Sequence, residues 1–143
     1  MKYFFNLFAI AILMVFATQA QAQSVIGKWK TIDDETGKPK SIVEIYEQNG
    51  KVYGKIVKLF RDPKEDQDPI CDKCDDHRKN KKIIGMIILT DMVKDGNKYN
   101  DGKILDAKKG RSYSCEIWLE NGNLKVEGSF LFISRTQTWT REM

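Results

Sequence analysis

Residues 111–130 read RSYSCEIWLENGNLKVEGSF, and this stretch alternates apolar and polar side chains on both sides of a central Asn-Gly pair. A period of two places every second side chain on the same face of a β-strand, so we expect one buried and one solvated face. Asn121-Gly122 tolerates positive φ at both central positions of a tight turn, which favours a two-residue hairpin. The predicted buried row is Tyr113, Cys115, Ile117, Leu119, Leu124, Val126, Gly128 and Phe130. Trp118 joins the polar face, where it is a candidate rim residue.

Further turn signals recur along the chain at short, strand-like intervals: Thr36-Gly37, Asn49-Gly50, Asp95-Gly96, Asp101-Gly102 and Lys109-Gly110. They predict an antiparallel meander in which Ser41–Glu47 and Val52–Leu59 form a second tight hairpin. The apolar run Ile83–Leu89 is predicted to be a strand, with a short helical turn near Asp91–Lys94. About eight strands in one domain leave a closed barrel or a two-sheet sandwich, and the barrel better protects its strand edges.

The segment Phe60–Lys82 carries two prolines, dense charge and no hydrophobic period, so it is predicted to be one long loop. Its basic stretch Arg78–Lys82 directly follows the acidic stretch Asp62–Asp76. Two interpretations stay open for this loop: a self-neutralising solvated segment, or an electrostatic dock for a partner or an anionic envelope surface.

The first 22 residues have the pattern of a secretory leader. Lys2 is followed by the apolar run Tyr3–Phe16 and by Ala20-Gln21-Ala22 as a cleavage site. The run is about fourteen residues long, shorter than the roughly twenty that cross a bilayer. We therefore expect a mature domain of residues 23–143, periplasmic or secreted, without a membrane span. Its 23 basic and 20 acidic residues give a net charge of +3, which is too small to indicate nucleic acid binding.

The two ends of the mature chain resemble the calycin and lipocalin arrangement. In that arrangement a Gly-x-Trp on the first strand packs at the closed end of a barrel beneath an arginine of the last strand. Here the motif is Gly27-Lys28-Trp29, and the last strand contains Arg135, Trp139 and Arg141. The resemblance implies that these residues close a lipocalin-like barrel, with one of the two arginines meeting Trp29.

A narrower resemblance covers essentially the whole mature chain, and it is to the secreted bacterial family called domain of unknown function 2147. It implies a barrel in the cell envelope and brings no established activity or catalytic residues. The chain departs from the family pattern at Ala107, Glu127 and Ser134, and Glu127 stands where an arginine is expected. The residues that carry the resemblance are Gly27–Thr31, Asn49–Ile56, Cys71-x-x-Cys74, Gly102–Asp106 and Arg135–Arg141.

The chain contains three cysteines. Two of them, in Cys71-Asp72-Lys73-Cys74, have the Cys-x-x-Cys spacing of thiol oxidoreductases. The neighbouring aspartates are expected to raise the thiol pKa, which disfavours a thiol oxidoreductase. We predict a structural Cys71–Cys74 disulfide, with Cys115 free on the apolar face of its strand. The alternative is a zinc site formed by Cys71, Cys74 and His77 with an added aspartate. No cofactor is expected.

His77 is the only histidine of the chain, so a Ser-His-Asp triad or a multi-histidine metal site is not expected, and we do not expect an enzyme. Two functions stay open. The first is binding of a small, partly apolar molecule in the barrel mouth, and the second is an envelope interaction or stress module that contacts a protein through the 60–82 loop. Candidate ligand-binding residues are Trp29, Tyr46, Tyr53, Tyr113 and Trp118, although aromatic side chains more often fill cores.

Overall fold

Turns and β-strands organise residues 24–143, which are the part of the chain that the computed structural model describes. The predicted leader, residues 1–22, lies outside this part. The eight strands are β1 (Gly27–Ile32), β2 (Pro39–Gln48), β3 (Lys51–Leu59), β4 (Ile87–Asp95), β5 (Lys98–Asp106), β6 (Arg111–Glu120), β7 (Asn123–Phe130) and β8 (Ile133–Arg141). Within the described residues no helix is long and apolar enough to span a membrane.

Each strand pairs antiparallel with the next, and β1 closes the sheet by pairing with β8. The closing register joins Trp29 to Arg141 and Lys30 to Thr140. Because β1 pairs with β8 at these residues, the sheet closes on itself and its two edge strands are joined there. The predicted all-β, up-and-down, lipocalin-like barrel of eight strands is therefore confirmed.

The Asn-Gly turns have the backbone geometry that the sequence predicts. Asn49 and Gly50 have φ values of 52° and 76°, and Asn121 and Gly122 have φ values of 53° and 79°. Positive φ at both central residues matches the right-handed twist of the flanking strands. These turns set the β2–β3 and β6–β7 registers, and both lie at the barrel end that carries Gly27 and Arg141.

Strand β4 differs from its prediction at both ends. It begins at Ile87, and the long loop therefore runs from residue 60 to residue 86. Gly85, with a φ of 91°, turns the chain and donates its amide to the Ile56 carbonyl at 2.6 Å. The predicted helical turn at Asp91–Lys94 is wrong, because these residues continue β4. A continuous apolar run carries no signal for where a strand begins, which explains the error.

The barrel interior is filled mainly by the inward rows of the strands. The largest buried side chains are at most 2% exposed. They are Trp29, Trp139, Ile45, Leu89, Met92, Ile117, Leu124 and Val43. Gly102 lies against this core, since a Cβ there would be 2.2 Å from the sulfur of Met92. Any larger residue at position 102 would force the core apart.

Trp29 and Arg141 form the contact that closes the barrel. The Arg141 guanidinium lies 4.2 Å from the centroid of the Trp29 ring, and Trp29 is fully buried. The same guanidinium donates hydrogen bonds to the carbonyl oxygens of Ser24 (2.7 Å) and Ile26 (3.3 Å). The Trp29 Nε1 donates to the Val25 carbonyl at 2.8 Å. One arginine thus holds the first strand, the segment before it and the last strand together.

Arg141→Gln should destabilise the fold by about 2–3 kcal/mol, because it removes a cation–π contact and two charge-assisted hydrogen bonds. The measurement is urea denaturation followed by tryptophan fluorescence. Arg135→Gln is the matched control, since Arg135 makes only an exposed ion pair and should cost less than about 1 kcal/mol. Equal losses for the two variants would contradict this account of closure.

Candidate functional site

The 60–86 loop is held by a disulfide at the end of the barrel opposite to the two Asn-Gly hairpins. Cys71 and Cys74 are joined with an S–S distance of 2.03 Å, and both cysteines are buried within the core cluster. The predicted disulfide is therefore confirmed. Because the two sulfurs bond each other, neither is a thiolate that could bind a metal.

The disulfide contradicts the alternative prediction of a zinc site at Cys71, Cys74 and His77. His77 is left without the two sulfur ligands that the alternative required, and residues 24–143 contain no group of three or more His, Cys, Asp or Glu side chains placed to hold a metal ion. The spacing alone could not decide the question, because a C-x-x-C pair serves both a disulfide and a metal site.

Close backbone contact joins the loop to the β5–β6 turn. The Cys71 sulfur lies 3.4 Å from the Ala107 carbonyl oxygen. A Cβ at Gly110 would stand 2.0 Å from the Lys73 carbonyl oxygen, and Gly110 has a φ of 66°. Glycine is thus required at position 110 both by the conformation of the turn and by the approach of the loop.

Arg78 anchors the second half of the loop to the barrel wall. Its guanidinium donates hydrogen bonds to the Ile87 carbonyl (3.0 Å) and the Ser112 hydroxyl (3.4 Å). It also pairs with Asp76 at 2.6 Å, and its side chain is only 13% exposed. This contact, with backbone donation from Arg78, lowers the pKa of Asp76 to about 2. Asp76 therefore stays ionised over the ordinary pH range, and the anchor with it.

A depression of about 360 Å³ opens between the loop and the beginning of β4. Ile84 and Ile87 line it, each 39% exposed, although the sequence predicted both within one apolar strand. The remaining lining residues are His77, Arg78, Lys81, Lys82, Gly85 and Met86. The depression therefore combines apolar side chains with a basic wall and has no acidic lining residue.

Three of the five candidate ligand-binding residues lie on the outer wall of the barrel. Tyr46 and Tyr53 stack across β2 and β3 with ring centroids 5.9 Å apart. The Tyr53 hydroxyl donates to Asp91 at 2.9 Å, and this hydrogen bond raises the pKa of Tyr53. Trp118 lies under the Lys98 ammonium at 4.6 Å. These residues do not line the barrel mouth, which corrects the prediction.

The reason for the Tyr46 error lies in β2. Both strand faces carry apolar side chains between Ile42 and Tyr46, so alternation alone does not select the inward row. The packing of β2 in the closed sheet selects it, and Val43 and Ile45 enter the core while Tyr46 faces outward.

The other two candidates face inward, at opposite ends. Trp29 is part of the closed end and is inaccessible to a ligand. Tyr113 is half-buried at the loop-bearing end. Its ring packs edge-to-face with that of Phe130, and the two ring centroids are 6.4 Å apart. The five aromatic residues therefore do not form one pocket.

The predicted closing residues also divide into two groups. Gly27, with a φ of 133°, leaves room for Arg141, since a Cβ there would lie 3.0 Å from its Nη1. Trp139 is buried beside them. Arg135 does not take part, and the structure corrects this assignment. It lies six residues before Arg141 on β8, about 20 Å along an extended strand, and pairs with Asp34 at 3.6 Å.

The outer wall carries a second depression, of about 300 Å³, between β5, β6 and β7. Glu116 and Glu127 face each other across β6 and β7 there, and Lys98 pairs with Glu116 at 2.8 Å. Directly beneath, Cys115 is buried, and its burial, with the two glutamates adding, raises its thiol pKa to about 12. Cys115 is thus an inert core residue rather than a nucleophile.

Replacing both loop cysteines, Cys71→Ser with Cys74→Ser, should lower the free energy of unfolding by about 2–4 kcal/mol. The lost cross-link closes a small ring worth about 2 kcal/mol, and the hydroxyls enter a buried site. Denaturant titration with and without reductant measures the effect. Reductant should leave the double variant unchanged, whereas an unchanged wild-type curve would count against a structural disulfide.

A thiol count with Ellman's reagent should give no reactive thiol in the native protein at pH 8, because a thiol with a pKa of about 12 is almost entirely protonated there. Denaturation should release one thiol, and denaturation after reduction should release all three. Rapid native reaction of Cys115 would contradict its placement in the core.

Comparisons with known proteins agree with this architecture. Residues 27–141 match the model of a family described as "Uncharacterized protein conserved in bacteria", domain of unknown function 2147. The barrel is similar to the solved structure of protein HP1028 from the human pathogen Helicobacter pylori, described as belonging to the lipocalin family. The TM-score is 0.71 at 22% identity, over 84% of each chain, which shows a shared fold. Among curated proteins, none matches this sequence. Because the family match spans the barrel from its first strand to its last, the chain belongs to the domain of unknown function 2147 family.

Proposed function

We propose that this protein is an exported, non-catalytic barrel that binds a small molecule at the loop-bearing end of the barrel. The proposed ligand is partly apolar and carries an anionic group. The observation that carries the proposal is the depression of about 360 Å³, in which Ile84 and Ile87 are exposed opposite a basic wall. Ligand sites in proteins commonly combine apolar lining with a few convergent polar groups.

The charges of the depression favour an anion. Arg78 and Lys82 already pair with Asp76 and Asp68, at 2.6 and 2.8 Å. Lys81 follows the left-handed residue Asn80 and is exposed at the same wall. An anionic group at Lys81 would gain a partner without displacing an existing ion pair.

The barrel interior offers less support for a deep site. Trp29, Trp139 and the aliphatic side chains around them fill the closed end, and the disulfide loop covers part of the other end. The ligand is therefore proposed at the mouth, beside the loop. Small barrels of this size either fill with their own side chains or hold one small ligand.

A binding role fits the side-chain chemistry of the described residues better than a catalytic role. Cys71 and Cys74 are oxidised, Cys115 is buried with a raised pKa, and His77 stands on an exposed loop. Export is proposed from the leader-like residues 1–22, and an oxidising compartment agrees with the disulfide.

A protein partner for the loop is the second candidate, favoured by two apolar side chains that the loop leaves at the surface. Ile70 is 46% exposed and Phe60 is 36% exposed. Loop deletion is a poor test of it, since the loop supplies Cys71, Cys74 and Met86 to the core. Point substitution of Ile70 followed by a pull-down is the sharper test.

The ligand proposal is tested with 8-anilinonaphthalene sulfonate, an apolar anion whose fluorescence rises on binding, and with native mass spectrometry of protein purified from its own host. Lys81→Glu should weaken dye binding about tenfold, equivalent to about 1.4 kcal/mol. Ile84→Ser should weaken it as well, through lost apolar contact.

Lys64→Glu is the matched control, because Lys64 lies on the same loop and outside the depression. It makes the same charge change and should leave dye affinity unaltered. Repeated recovery of ligand-free protein that binds no dye would remove the proposal, as would equal effects of Lys81→Glu and Lys64→Glu.

A further inference from the structure

The turn between β7 and β8 presents four consecutive apolar residues to solvent, Phe130-Leu131-Phe132-Ile133, which we call the apolar tip. Phe132 is fully exposed, Leu131 is 82% exposed and Ile133 is 76% exposed. Isolated exposed apolar side chains are common, whereas a contiguous group of four at a projecting turn marks an interaction site. The apolar tip lies at the loop-bearing end and outside the lining of the proposed ligand depression.

Folding does not account for the residues of the apolar tip. Leu131 has a φ of 54°, a left-handed conformation that L side chains rarely adopt. Two other tight turns of this barrel use Asn49-Gly50 and Asn121-Gly122, which take positive φ at low cost. Leu131 therefore strains the turn, and both Leu131 and Phe132 stay in water, so neither cost is recovered by burial in the described barrel.

Cations flank the apolar tip on both sides. The Arg111 guanidinium lies 5.5 Å from the centroid of the Phe130 ring. Arg135 follows two residues after Ile133, with a side chain that is 72% exposed. The neighbouring β5–β6 turn adds exposed Lys108 and Lys109.

Two aspartates are bonded to these residues. Asp34 pairs with Arg135 at 3.6 Å and accepts a hydrogen bond from Gln137 at 2.8 Å. Asp106 accepts the backbone amides of Lys108 and Lys109. Four cations, Arg111, Arg135, Lys108 and Lys109, therefore stand against two carboxylates in this set of contacts.

We propose that the apolar tip inserts into the interfacial layer of an anionic phospholipid bilayer, with Arg111 and Arg135 placed at the level of the lipid phosphates. Apolar side chains ringed by cations match the two layers of such a surface, acyl chains below and negative headgroups above. The docking is peripheral: the barrel lies on the membrane and only the turn enters it.

The size and shape of the tip favour a membrane over a second protein chain. Two aromatic rings of about 150–250 Å² each and two aliphatic side chains, of which only Phe132 is fully exposed, offer on the order of 500 Å². A standard protein interface buries about 800 Å² on each partner. The tip also projects, whereas a flat or concave surface would better suit self-association.

The test is flotation with vesicles of phosphatidylglycerol and phosphatidylcholine in equal parts, compared with phosphatidylcholine alone, using protein expressed from the full 143-residue sequence. The key variant is Leu131→Asn with Phe132→Gly, which installs the Asn-Gly sequence of the β2–β3 and β6–β7 turns. It should lower binding to the anionic vesicles about tenfold. It should also raise the melting temperature, because it relieves the strained turn.

Three further variants separate the contribution of apolar insertion from that of the flanking arginines and supply a control. Phe132→Ser tests insertion without changing the turn backbone. Arg111→Gln with Arg135→Gln should weaken binding several-fold and reduce its salt dependence. Val93→Ser is the control, since Val93 is an exposed apolar residue of β4 outside the tip and its replacement should leave vesicle binding unchanged. Every variant shares the leader-like residues, so a leader that stays attached cannot produce the differences.

Loss of flotation in the tip variants with intact folding supports the proposal. Absence of wild-type binding to anionic vesicles, or equal binding by the tip variants, overturns it. Sedimentation that shows a dimer abolished by the tip variants, with no lipid binding, also overturns it and assigns the tip to a second copy of the chain. If the double variant fails to fold, Phe132→Ser decides between these outcomes.

Discussion

The stack of the Arg141 guanidinium on Trp29 is the contact on which the barrel depends, because it joins residues 112 positions apart in the sequence. Seven of the eight strand pairings connect neighbours along the chain and form through short turns or one loop. The eighth pairing brings the two ends of the domain together, and its entropic cost is that of closing a loop of nearly the whole domain. A buried ring beneath a cation that also binds two carbonyl oxygens offsets that cost at one point.

Closure divides the barrel into two unlike ends. The end with Trp29 and Arg141 has tight Asn-Gly turns and is filled with core side chains. The other end carries the longer connections, and there the disulfide loop packs on the β5–β6 turn through contacts that only a glycine at position 110 permits. Both proposed surfaces lie at this second end, which agrees with the general division between a rigid scaffold and functional connections.

The candidate site was only partly readable from the sequence. The charge pattern of Arg78–Lys82 is visible in the sequence, but the exposure of the apolar residues beside it, Ile84 and Ile87, is not. Ile84 and Ile87 belong to a run that looks like one buried strand, and Gly85 turns the chain inside it. The apolar tip was hidden for a similar reason, because Phe130 and Ile133 continue the apolar pattern of two good strands. Exposure of such residues depends on where neighbouring strands end, and that is a property of the assembled sheet.

By itself the sequence determined most of the strand pattern and the two Asn-Gly hairpins, because these follow from local periodicity and turn chemistry. The lipocalin-like closure was implied by the resemblance of Gly27-Lys28-Trp29 and the Arg135–Arg141 run, and the cysteine spacing left a disulfide and a zinc site as alternatives. Only the tertiary structure decided which face of β2 is inward, which of Arg135 and Arg141 meets Trp29, and which aromatic residues are reachable. The physical reason is that a register shift of one residue exchanges the two faces of a strand without changing its composition.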